Sequence, residues 1–242
     1  MHLFSHHWRS HRGPASQEEN ASTKGLVLRG GWRYDLTGWV HNALSSRGKL
    51  RQLRQRTIAL AHVQPGEAVL DVGCGTGTLL LEVAGKNGAP GRMAGIDPSS
   101  GQIARARTKA ARRGLSIEFQ IGVIEHLPYP DQTFDVVFST LMMHHLPAPL
   151  KRQGLAEIAR VLKSEGRLLI ADFTHQAERA GRARRFHAGG SRLQDLVALL
   201  TDAGLTVVNT EEIRPPRFSA FPGASIVRAS KQNVKHESTS VC

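Results

Sequence analysis

The 242-residue sequence predicts an α/β fold, a doubly wound, seven-stranded and mostly parallel sheet with helices on both faces. Three patterns support this fold class. From residue 68 onward, short apolar runs alternate with helical repeats of about 10–15 residues, which is typical of βαβ units. The early runs are apolar almost throughout, as expected of strands covered on both faces. A loop without a helix joins the last two runs, so the last strand is predicted to be antiparallel.

Each predicted strand is a short run rich in β-branched or other apolar residues, bounded by glycine or polar turn residues. The first run, at residues 68–72, ends in glycines and follows a Gln-Pro-Gly turn. In chain order, the seven strands are predicted at residues 68–72, 92–96, 115–121, 134–139, 167–173, 205–210 and 224–229.

Apolar residues three and four positions apart predict helices between these strands. Ser99 or Ser100 can cap the second of these helices, and Gly114 ends it. Ser191 caps the last helix and Gly204 ends it. The helices are predicted at residues 79–84, 99–113, 150–162 and 191–203, after a helical lead-in at residues 32–62.

The length suggests one domain with flanking segments, since domains commonly have roughly 100–200 residues. We divide the chain into a polar tail at residues 1–24, a helical lead-in and substrate lid at 25–66, a ligand-binding domain at 67–230, and a polar tail at 231–242. The four histidines of the first tail lack an ordered scaffold. No metal site is therefore predicted.

Cysteine usage and hydropathy exclude several protein classes. Only Cys74 and Cys242 are present, which excludes a secreted protein built on a disulfide framework. No run approaches the ~18 apolar residues of a transmembrane helix. Residues 1–24 lack the apolar segment of a secretory signal. We therefore expect a cytoplasmic protein.

The net charge of +12 is carried by the flanks of the chain, whereas residues 69–146 are neutral. One interpretation is attraction to nucleic acid, anionic lipid or an acidic substrate, and the other is an ordinary solvated surface. No aromatic residue interleaves with the arginine runs, which weakens a single-strand-binding interpretation. The basic patches comprise Arg47, Lys49, Arg51, Arg54 and Arg56, and Arg179, Arg182, Arg184 and Arg185.

The strongest local motif is the glycine turn that follows the first strand, where residues 69–79 read VLDVGCGTGTL. Ligands of open parallel sheets lie beyond the carboxyl ends of the strands, and glycines there let the backbone approach a ligand closely. The spacing is G-x-G-x-G, with Thr78 where a dinucleotide fingerprint has its third glycine. Asp71, at the strand end, would repel a pyrophosphate and attract an ammonium group.

A second carboxylate, Asp97, ends the second strand in the segment GIDPS, 20 residues beyond Gly77. A carboxylate at this place can accept both hydroxyls of a ribose, so the motif indicates a nucleoside. Structural alternatives remain at this stage. Asp97 could be an N-cap or first-turn acid of the next helix, and Asp71 could stabilise the turn.

Five blocks in order resemble the class I S-adenosylmethionine-dependent methyltransferases, which have a Rossmann-like fold. Within that class, the chain is most similar to the ubiquinone/menaquinone-biosynthesis methyltransferases and their small-molecule relatives, and residues 33–36 (RYDL) match a feature of that group. The blocks are VLDVGCGTG (69–77), GIDPS (95–99), LPYPDQTFDVVFS (127–139), MMHHLP (142–147) and RVLKSEGRLLIADF (160–173).

The resemblance implies S-adenosyl-L-methionine as the cofactor. The glycine turn would hold the methionine part, Asp71 would face its ammonium, and Asp97 would take the ribose hydroxyls. The loop at 123–125 would flank the adenine, and the end of the fourth strand would line the methyl donor. The implied cofactor-binding residues are Asp71, Gly73, Cys74, Gly75, Thr76, Gly77, Asp97, Pro98, Val123, Ile124, Glu125, Ser139 and Thr140.

The chain departs from the group's pattern at two places that bear on function. Val123 stands where the group usually has an acid that receives the adenine amino group, so adenine recognition would rest on backbone groups and apolar packing. Residues 174–190 are short and arginine-rich, whereas the quinone enzymes have a longer substrate-shaping segment. The second departure argues against a prenylated quinone as the substrate.

Methyl transfer mainly requires alignment of the acceptor and exclusion of water, and it needs no covalent nucleophile. A base is required only for a protonated, weak acceptor. The histidines at or after strand ends are His144, His145, His175 and His187, and we assign none of them as the base. We expect the adjacent His144 and His145 to point apart, which argues against a shared metal.

These observations favour a methyltransferase that acts by C- or O-methylation on a small, hydrophobic or aromatic acceptor. The alternatives are a methyltransferase of RNA or another polyanion, suggested by the charge, and a non-catalytic S-adenosylmethionine-binding protein. A nicotinamide oxidoreductase is disfavoured by the glycine spacing. The basic segment 47–56 could contact anionic lipid or pack its apolar face on the domain. The oligomeric state is left open.

Overall fold

A computed structural model describes residues 47–85, 91–173, 193–214 and 223–231 of the chain. Several predictions fall outside these residues and concern the first tail, most of the lead-in, the segment at 174–190 with its arginine patch, and nearly all of the second tail. His175, His187 and Ser191 lie outside the described residues as well.

Five helices and seven strands are described. The helices are α1 (Arg47–Ala61), α2 (Thr78–Ala84), α3 (Ser100–Ala111), α4 (Ala148–Val161) and α5 (Leu193–Asp202). The strands are β1 (Val69–Val72), β2 (Met93–Asp97), β3 (Glu118–Ile121), β4 (Phe134–Thr140), β5 (Leu162–Phe173), β6 (Leu205–Ile213) and β7 (Ala224–Lys231).

The seven strands form one sheet in the order β3-β2-β1-β4-β5-β7-β6. β1 lies between β2 and β4, with Val69 in register with Met93 and Val136. All pairs from β3 to β5 are parallel, and β7 is antiparallel to both β5 and β6. The predicted fold class is therefore confirmed. The order reverses between β1 and β4, and such a switch point opens a crevice at the carboxyl ends of the strands.

Two apolar layers explain why β1 and β4 are buried on both faces. Successive side chains of a strand point to opposite faces. Leu70 and Val137 accordingly join the cluster beneath α4 and α5, whereas Val69 and Phe138 join the cluster beneath α2 and α3. All four side chains are fully buried. This double coverage is the reason that the strands are apolar almost throughout.

The predicted boundaries of β3 and β5 differ from the observed ones for identifiable reasons. β3 begins at Glu118 because Leu115 still hydrogen-bonds to Ala110 at the end of α3. β5 begins at Leu162, which pairs with Phe134 of β4, so α4 ends one residue earlier than predicted. Ser99 is the N-cap of α3, and its Oγ accepts from the Gln102 amide at 3.4 Å.

Helix α1 places its apolar face on the domain, as one of the two sequence interpretations expected. Leu53 is fully buried in a cluster with Ala171 of β5 and Ile226 of β7. Two members of its basic patch form ion pairs: Arg54 with Glu82 at 3.0 Å and Arg56 with Glu211 at 2.8 Å. Within the described ranges, no helix combines the length and the apolar character needed to cross a bilayer.

Candidate active site

The glycine turn and Asp97 meet at the carboxyl end of the sheet. The Gly75 amide donates to Oδ2 of Asp97 at 2.9 Å. The amides of Gly73 and Cys74 both donate to the Ile96 carbonyl, at 2.8 and 3.0 Å. Because the turn after β1 is hydrogen-bonded to the end of β2, the two strongest sequence motifs form one continuous site.

The three glycines of the turn all have positive φ, but they differ in what surrounds them. The φ angles are +75° at Gly73, +51° at Gly75 and +72° at Gly77. A Cβ on Gly73 would lie 2.4 Å from Met142, and a Cβ on Gly77 would lie 2.7 Å from the Phe119 ring. A Cβ on Gly75 would meet no described atom within 4 Å. Gly73 and Gly77 are therefore required by packing, and Gly75 faces open space.

Asp71 is a buried carboxyl group, and its Oδ1 has no hydrogen-bond partner among the described residues. Burial, followed by the nearby charge of Asp97, raises the pKa of Asp71 to about 8. A buried, unpaired oxygen costs free energy unless a donor or a cation reaches it. The position of Asp71 beside the glycine turn therefore suits a positively charged ligand group.

Asp97 is held by two backbone donors, one on each carboxylate oxygen. Oδ2 accepts from Gly75 and Oδ1 accepts from the Ser99 amide at 2.9 Å. Burial raises the pKa of Asp97, and these two hydrogen bonds oppose the rise. Because Ser99 supplies the cap of α3, the N-cap alternative for Asp97 is wrong. Each oxygen keeps a lone pair that can accept from a ligand hydroxyl.

The end of β4 contributes two hydroxyl groups next to the glycine turn. Ser139 is fully buried, and Thr140 is partly buried as the last residue of the strand. In the part of the chain that the structure describes, neither Oγ of Ser139 nor Oγ1 of Thr140 has a hydrogen-bond partner. Unpaired buried hydroxyls are rare in proteins, which indicates a site that a ligand or water completes.

Two of the predicted cofactor-binding side chains point into the protein core. A Cβ on Gly95 of β2 would lie 3.0 Å from Sγ of Cys74, which is buried in the cluster beneath α3. Burial also raises the pKa of Cys74 well above its ordinary value. Ile124 is buried against Gly154 of α4. These two residues can therefore offer backbone groups to a ligand, but their side chains serve packing.

The remaining predicted residues lie in the turn after β1 and in the segments that follow β2 and β3. Oγ1 of Thr76 accepts from Nζ of Lys109 at 2.7 Å, so this hydroxyl is tied to α3. Pro98 is partly buried between Asp97 and the α3 cap. Val123 and Glu125 are partly buried in the loop after β3, where Val123 forms an isolated bridge with His126.

The expectation that His144 and His145 point apart is wrong. Their ring centroids lie 3.9 Å apart. The expectation assumed a regular strand or helix, but the two residues lie in a single 3₁₀ turn, Met143–His145. Leu141, just before it, has a φ of +56°, so the chain turns sharply after β4. In this irregular backbone, the side-chain directions of a regular strand or helix do not apply.

Asp172, which hydrogen-bonds to His144, was not among the predicted site residues. Oδ1 of Asp172 lies 2.6 Å from Nδ1 of His144. The signal was present, because Asp172 is a carboxylate near the carboxyl end of an apolar strand, as Asp71 and Asp97 are. Its partner could not be foreseen, since the two residues are 28 positions apart.

Comparisons with known proteins agree with this geometry. A family model described as a methyltransferase domain matches residues 69–166. The chain is 33% identical to a demethylmenaquinone methyltransferase of Symbiobacterium thermophilum. The alignment has 161 residues and covers 66% of this chain and 62% of the relative. It is 36% identical to the ubiquinone/menaquinone biosynthesis C-methyltransferase UbiE of Bordetella avium. This alignment has 149 residues and covers 60% of this chain and 55% of the relative.

Solved structures show the same fold. The [4+2]-cyclase SpnF superposes with a TM-score of 0.65 at 23% identity, over 90% of this chain and 87% of the other. A SAM-dependent methyltransferase from Methanosarcina mazei superposes with a TM-score of 0.63 at 23% identity, over 72% of this chain and 97% of the other. The chain spans less than two thirds of the length of the two curated relatives above. Over residues 69–166 it carries a methyltransferase domain, which is similar to those of the demethylmenaquinone and ubiquinone/menaquinone methyltransferases above.

Proposed function

We propose that the chain is an S-adenosylmethionine-dependent methyltransferase that acts on a small, hydrophobic or aromatic acceptor. One observation carries the proposal: Asp97 is hydrogen-bonded to Gly75, whose missing side chain leaves open space beside the buried carboxyl group of Asp71. An acceptor for ribose hydroxyls, a close approach to the backbone and a carboxyl group that an ammonium would ionise would thus share one site.

The residues at this crevice fit the polar groups of the cofactor. Asp97 would accept the ribose hydroxyls with oxygens that two amides already orient. Asp71 would face the ammonium, which is the cation that its unpaired oxygen lacks. Ser139 and Thr140 would offer hydroxyls at the end of β4. Val123 and Glu125 would lie beside the adenine.

The protein's contribution to the reaction would be alignment and exclusion of water. When bound, the cofactor supplies a methyl group activated by its sulfonium. Holding the reacting atoms about 3–3.5 Å apart can contribute roughly 7–11 kcal/mol towards the barrier. The ends of β1 and β4 would help to exclude water from the reacting groups, since Val72 and Ser139 are almost fully buried.

The names of similar proteins support a small acceptor. The relatives above are named for menaquinone and ubiquinone biosynthesis, and a further relative, 28% identical over 186 residues, is the 27-O-demethylrifamycin SV methyltransferase of Amycolatopsis mediterranei. Another is an arsenite methyltransferase of Halobacterium salinarum, 33% identical over 165 residues. These names describe carbon, oxygen and arsenic chemistry on small compounds, so they support the class of acceptor.

Titration calorimetry of the full chain tests the proposal. We expect S-adenosylmethionine and S-adenosylhomocysteine to bind with micromolar dissociation constants, and transfer of a labelled methyl group to a small compound of a cell extract. A chain that is folded by circular dichroism and binds neither ligand would refute the proposal. Transfer of the label to RNA alone would favour the polyanion alternative.

Gly75 offers a sharp test of the cradle. We expect Gly75→Ala to weaken S-adenosylhomocysteine binding at least tenfold. The new Cβ would have no described atom within 4 Å, so it would project into the open space that we assign to the ligand. The positive φ adds a folding cost of about 1–2 kcal/mol. Gly114→Ala is the matched control, since Gly114 has a φ of +63° and also meets nothing within 4 Å, but lies after α3.

Both variants should lose similar free energy of unfolding in urea, and only Gly75→Ala should lose ligand affinity. Equal affinities of the two variants would show that Gly75 does not face the cofactor. Loss of affinity in both would point to a general effect of the backbone strain.

Replacing Val123 with an acid is expected to raise the affinity for S-adenosylhomocysteine. In the related methyltransferases an acid at this position receives the adenine amino group, so we expect Val123→Asp to tighten S-adenosylhomocysteine binding about fivefold, the equivalent of ~1 kcal/mol for one hydrogen bond. Val123→Leu supplies no acceptor and should leave the affinity unchanged. The gain should vanish with the inosine analogue, which lacks the amino group. A gain that persists with the inosine analogue would contradict this prediction.

A further inference from the structure

The pair formed by His144 and Asp172 has no role in the cofactor site described above. It lies at the carboxyl ends of β4 and β5, the edge at which the crevice opens. The side chains are only 8% and 10% exposed. A buried ionisable pair at this edge is expensive to desolvate, so its geometry calls for an explanation.

The hydrogen bonds define which nitrogen of His144 holds the proton. Oδ1 of Asp172 lies 2.6 Å from Nδ1 of His144, and Oδ2 accepts from the His144 amide at 2.9 Å. The Phe173 amide also donates to Oδ1, at 2.7 Å. An ionised carboxylate only accepts, so Nδ1 is the donor, and in the neutral ring Nε2 then keeps its lone pair.

The pair lies on the side of the cofactor site that is farther from Asp97. Asp97 ends β2, the glycine turn follows β1, and Thr140 ends β4. Thr140 is in register with Ala171 of β5, directly before Asp172. Neighbouring strands are about 4.8 Å apart, so the order ribose acceptor, glycine turn, β4 hydroxyls and imidazole runs along one edge. An acceptor seated beyond β4 would therefore be near His144.

Charged and aromatic neighbours surround the pair. The His145 ring lies 3.9 Å from that of His144, and the Phe173 ring lies at 5.2 Å. Lys151 of α4 is buried and interacts electrostatically with Asp172 and with Asp195 of α5.

A purely structural role accounts for only part of this geometry. The bond from the His144 amide to Oδ2 already ties the turn to β5. The second bond, to Nδ1, adds no new connection between the two segments, but it sets the orientation and the tautomer of the ring.

We propose that His144 is the general base for methyl transfer to a hydroxyl acceptor and that Asp172 is its positioning residue. The inference rests on the proposed function and narrows it to oxygen methylation. As the bond between acceptor oxygen and methyl carbon forms and the bond between that carbon and the donor sulfur breaks, the O–H proton passes to Nε2 of His144. Asp172 stabilises the imidazolium, which then releases the proton to water, and the donor leaves as neutral thioether.

The tautomer is tested first, and this measurement needs no acceptor. Long-range ¹H–¹⁵N spectra of the full chain, with the His144 signals identified by their loss in His144→Gln, should show a protonated Nδ1 and an unprotonated Nε2. Protonation at Nε2 in the neutral ring would overturn the proposal.

Kinetics with acceptors of different acidity separate a base from a structural group. Phenol is protonated at about pH 8, whereas 4-nitrophenol is largely ionised and needs no base. We expect His144→Gln to lower kcat/KM for phenol by about 10²–10⁴ and to leave the value for 4-nitrophenol nearly unchanged. Asp172→Asn should show the same difference between the two acceptors. An equal loss with both acceptors would show a structural role and overturn the proposal.

His62→Gln is the matched control. His62 is exposed, and its carbonyl accepts from Arg167 near the amino end of the parallel part of β5, far from Asp172. It should leave both rates unchanged.

If neither phenol is methylated, the labelled product from a cell extract decides the question. A methyl ether that His144→Gln fails to form supports the proposal, and a label on carbon, nitrogen or sulfur refutes it. Failure of the proposed function is distinguishable, because it appears as absent cofactor binding while the tautomer of His144 is unaffected.

Discussion

Replacing Asp97 with alanine is expected to abolish measurable S-adenosylhomocysteine binding, a loss of at least a hundredfold. The carboxylate would accept two ribose hydroxyls, and hydrogen bonds to a charged group are worth about 1.5–3 kcal/mol each. The substitution also removes the acceptor that orients the Gly75 amide, which is one of the three hydrogen bonds named above between the glycine turn and β2. Titration calorimetry of the variant and the original chain at the same protein concentration measures the binding, and circular dichroism confirms that the variant is folded.

Asp202→Ala is a suitable control, since Asp202 is exposed at the end of α5 and pairs with Arg152 on the surface. It should bind the ligand like the original chain. A 2′-deoxyribose analogue tests the role of the sugar directly. The original chain should discriminate against the analogue by about tenfold or more, the value of one hydrogen bond to a charged group. Binding of the normal ligand by Asp97→Ala within threefold of the original chain would refute the assignment.

The parts of this site that could be predicted from sequence are those coded locally. The glycine turn and Asp97 each follow an apolar run, and parallel strands bring their carboxyl ends to one edge. The hydrogen bond between Gly75 and Asp97 follows from that topology, although the residues are 22 positions apart. The antiparallel pairing of β6 with β7 could be predicted as well, because the sequence pattern between the two strands predicts no helix.

The parts that could not be predicted depend on side-chain direction and on long-range register. The spacing treats Gly73, Gly75 and Gly77 alike, yet only Gly75 faces open space, because Met142 and Phe119 cover the other two. Ile124 lies on the predicted adenine loop but turns into the core against α4. The contact of His144 with Asp172 requires the register between β4 and β5, which no local pattern encodes.

Ligand binding is expected to remove a proton from Asp71. With a pKa of about 8, this carboxyl group is mostly protonated at neutral pH in the ligand-free chain. An ammonium group placed beside it favours the ionised form and lowers the pKa. We therefore expect S-adenosylhomocysteine binding to release nearly one proton at about pH 7, and the affinity to rise up to tenfold per pH unit below pH 8.

The same carboxyl group makes the ligand-free fold sensitive to pH. Its folded pKa of about 8 is above the ordinary value of 3.8, so the folded chain binds the proton more tightly than the unfolded chain. The stabilisation of the fold by this tighter proton binding is fully present below the ordinary pKa of 3.8. It is lost as the pH rises through the window from 4 to 8. Within that window, the contribution to the free energy of unfolding falls by about 1.4 kcal/mol per pH unit.

Asp71→Asn removes the titrating group while it keeps the shape of the side chain. Its free energy of unfolding should depend less on pH than that of the original chain, and it should bind S-adenosylhomocysteine without proton release and at least tenfold more weakly. Calorimetry in buffers with different heats of ionisation measures the released proton, and urea unfolding from pH 5 to pH 8 measures the stability.

Adenosine provides the matched ligand, since it has the ribose and the adenine but no ammonium group. It should bind through Asp97 and leave the proton on Asp71. Equal proton release by adenosine and S-adenosylhomocysteine would place the ammonium elsewhere. In that case the buried carboxyl group would serve the sugar end of the site, and the orientation of the cofactor along the sheet edge would have to be reversed.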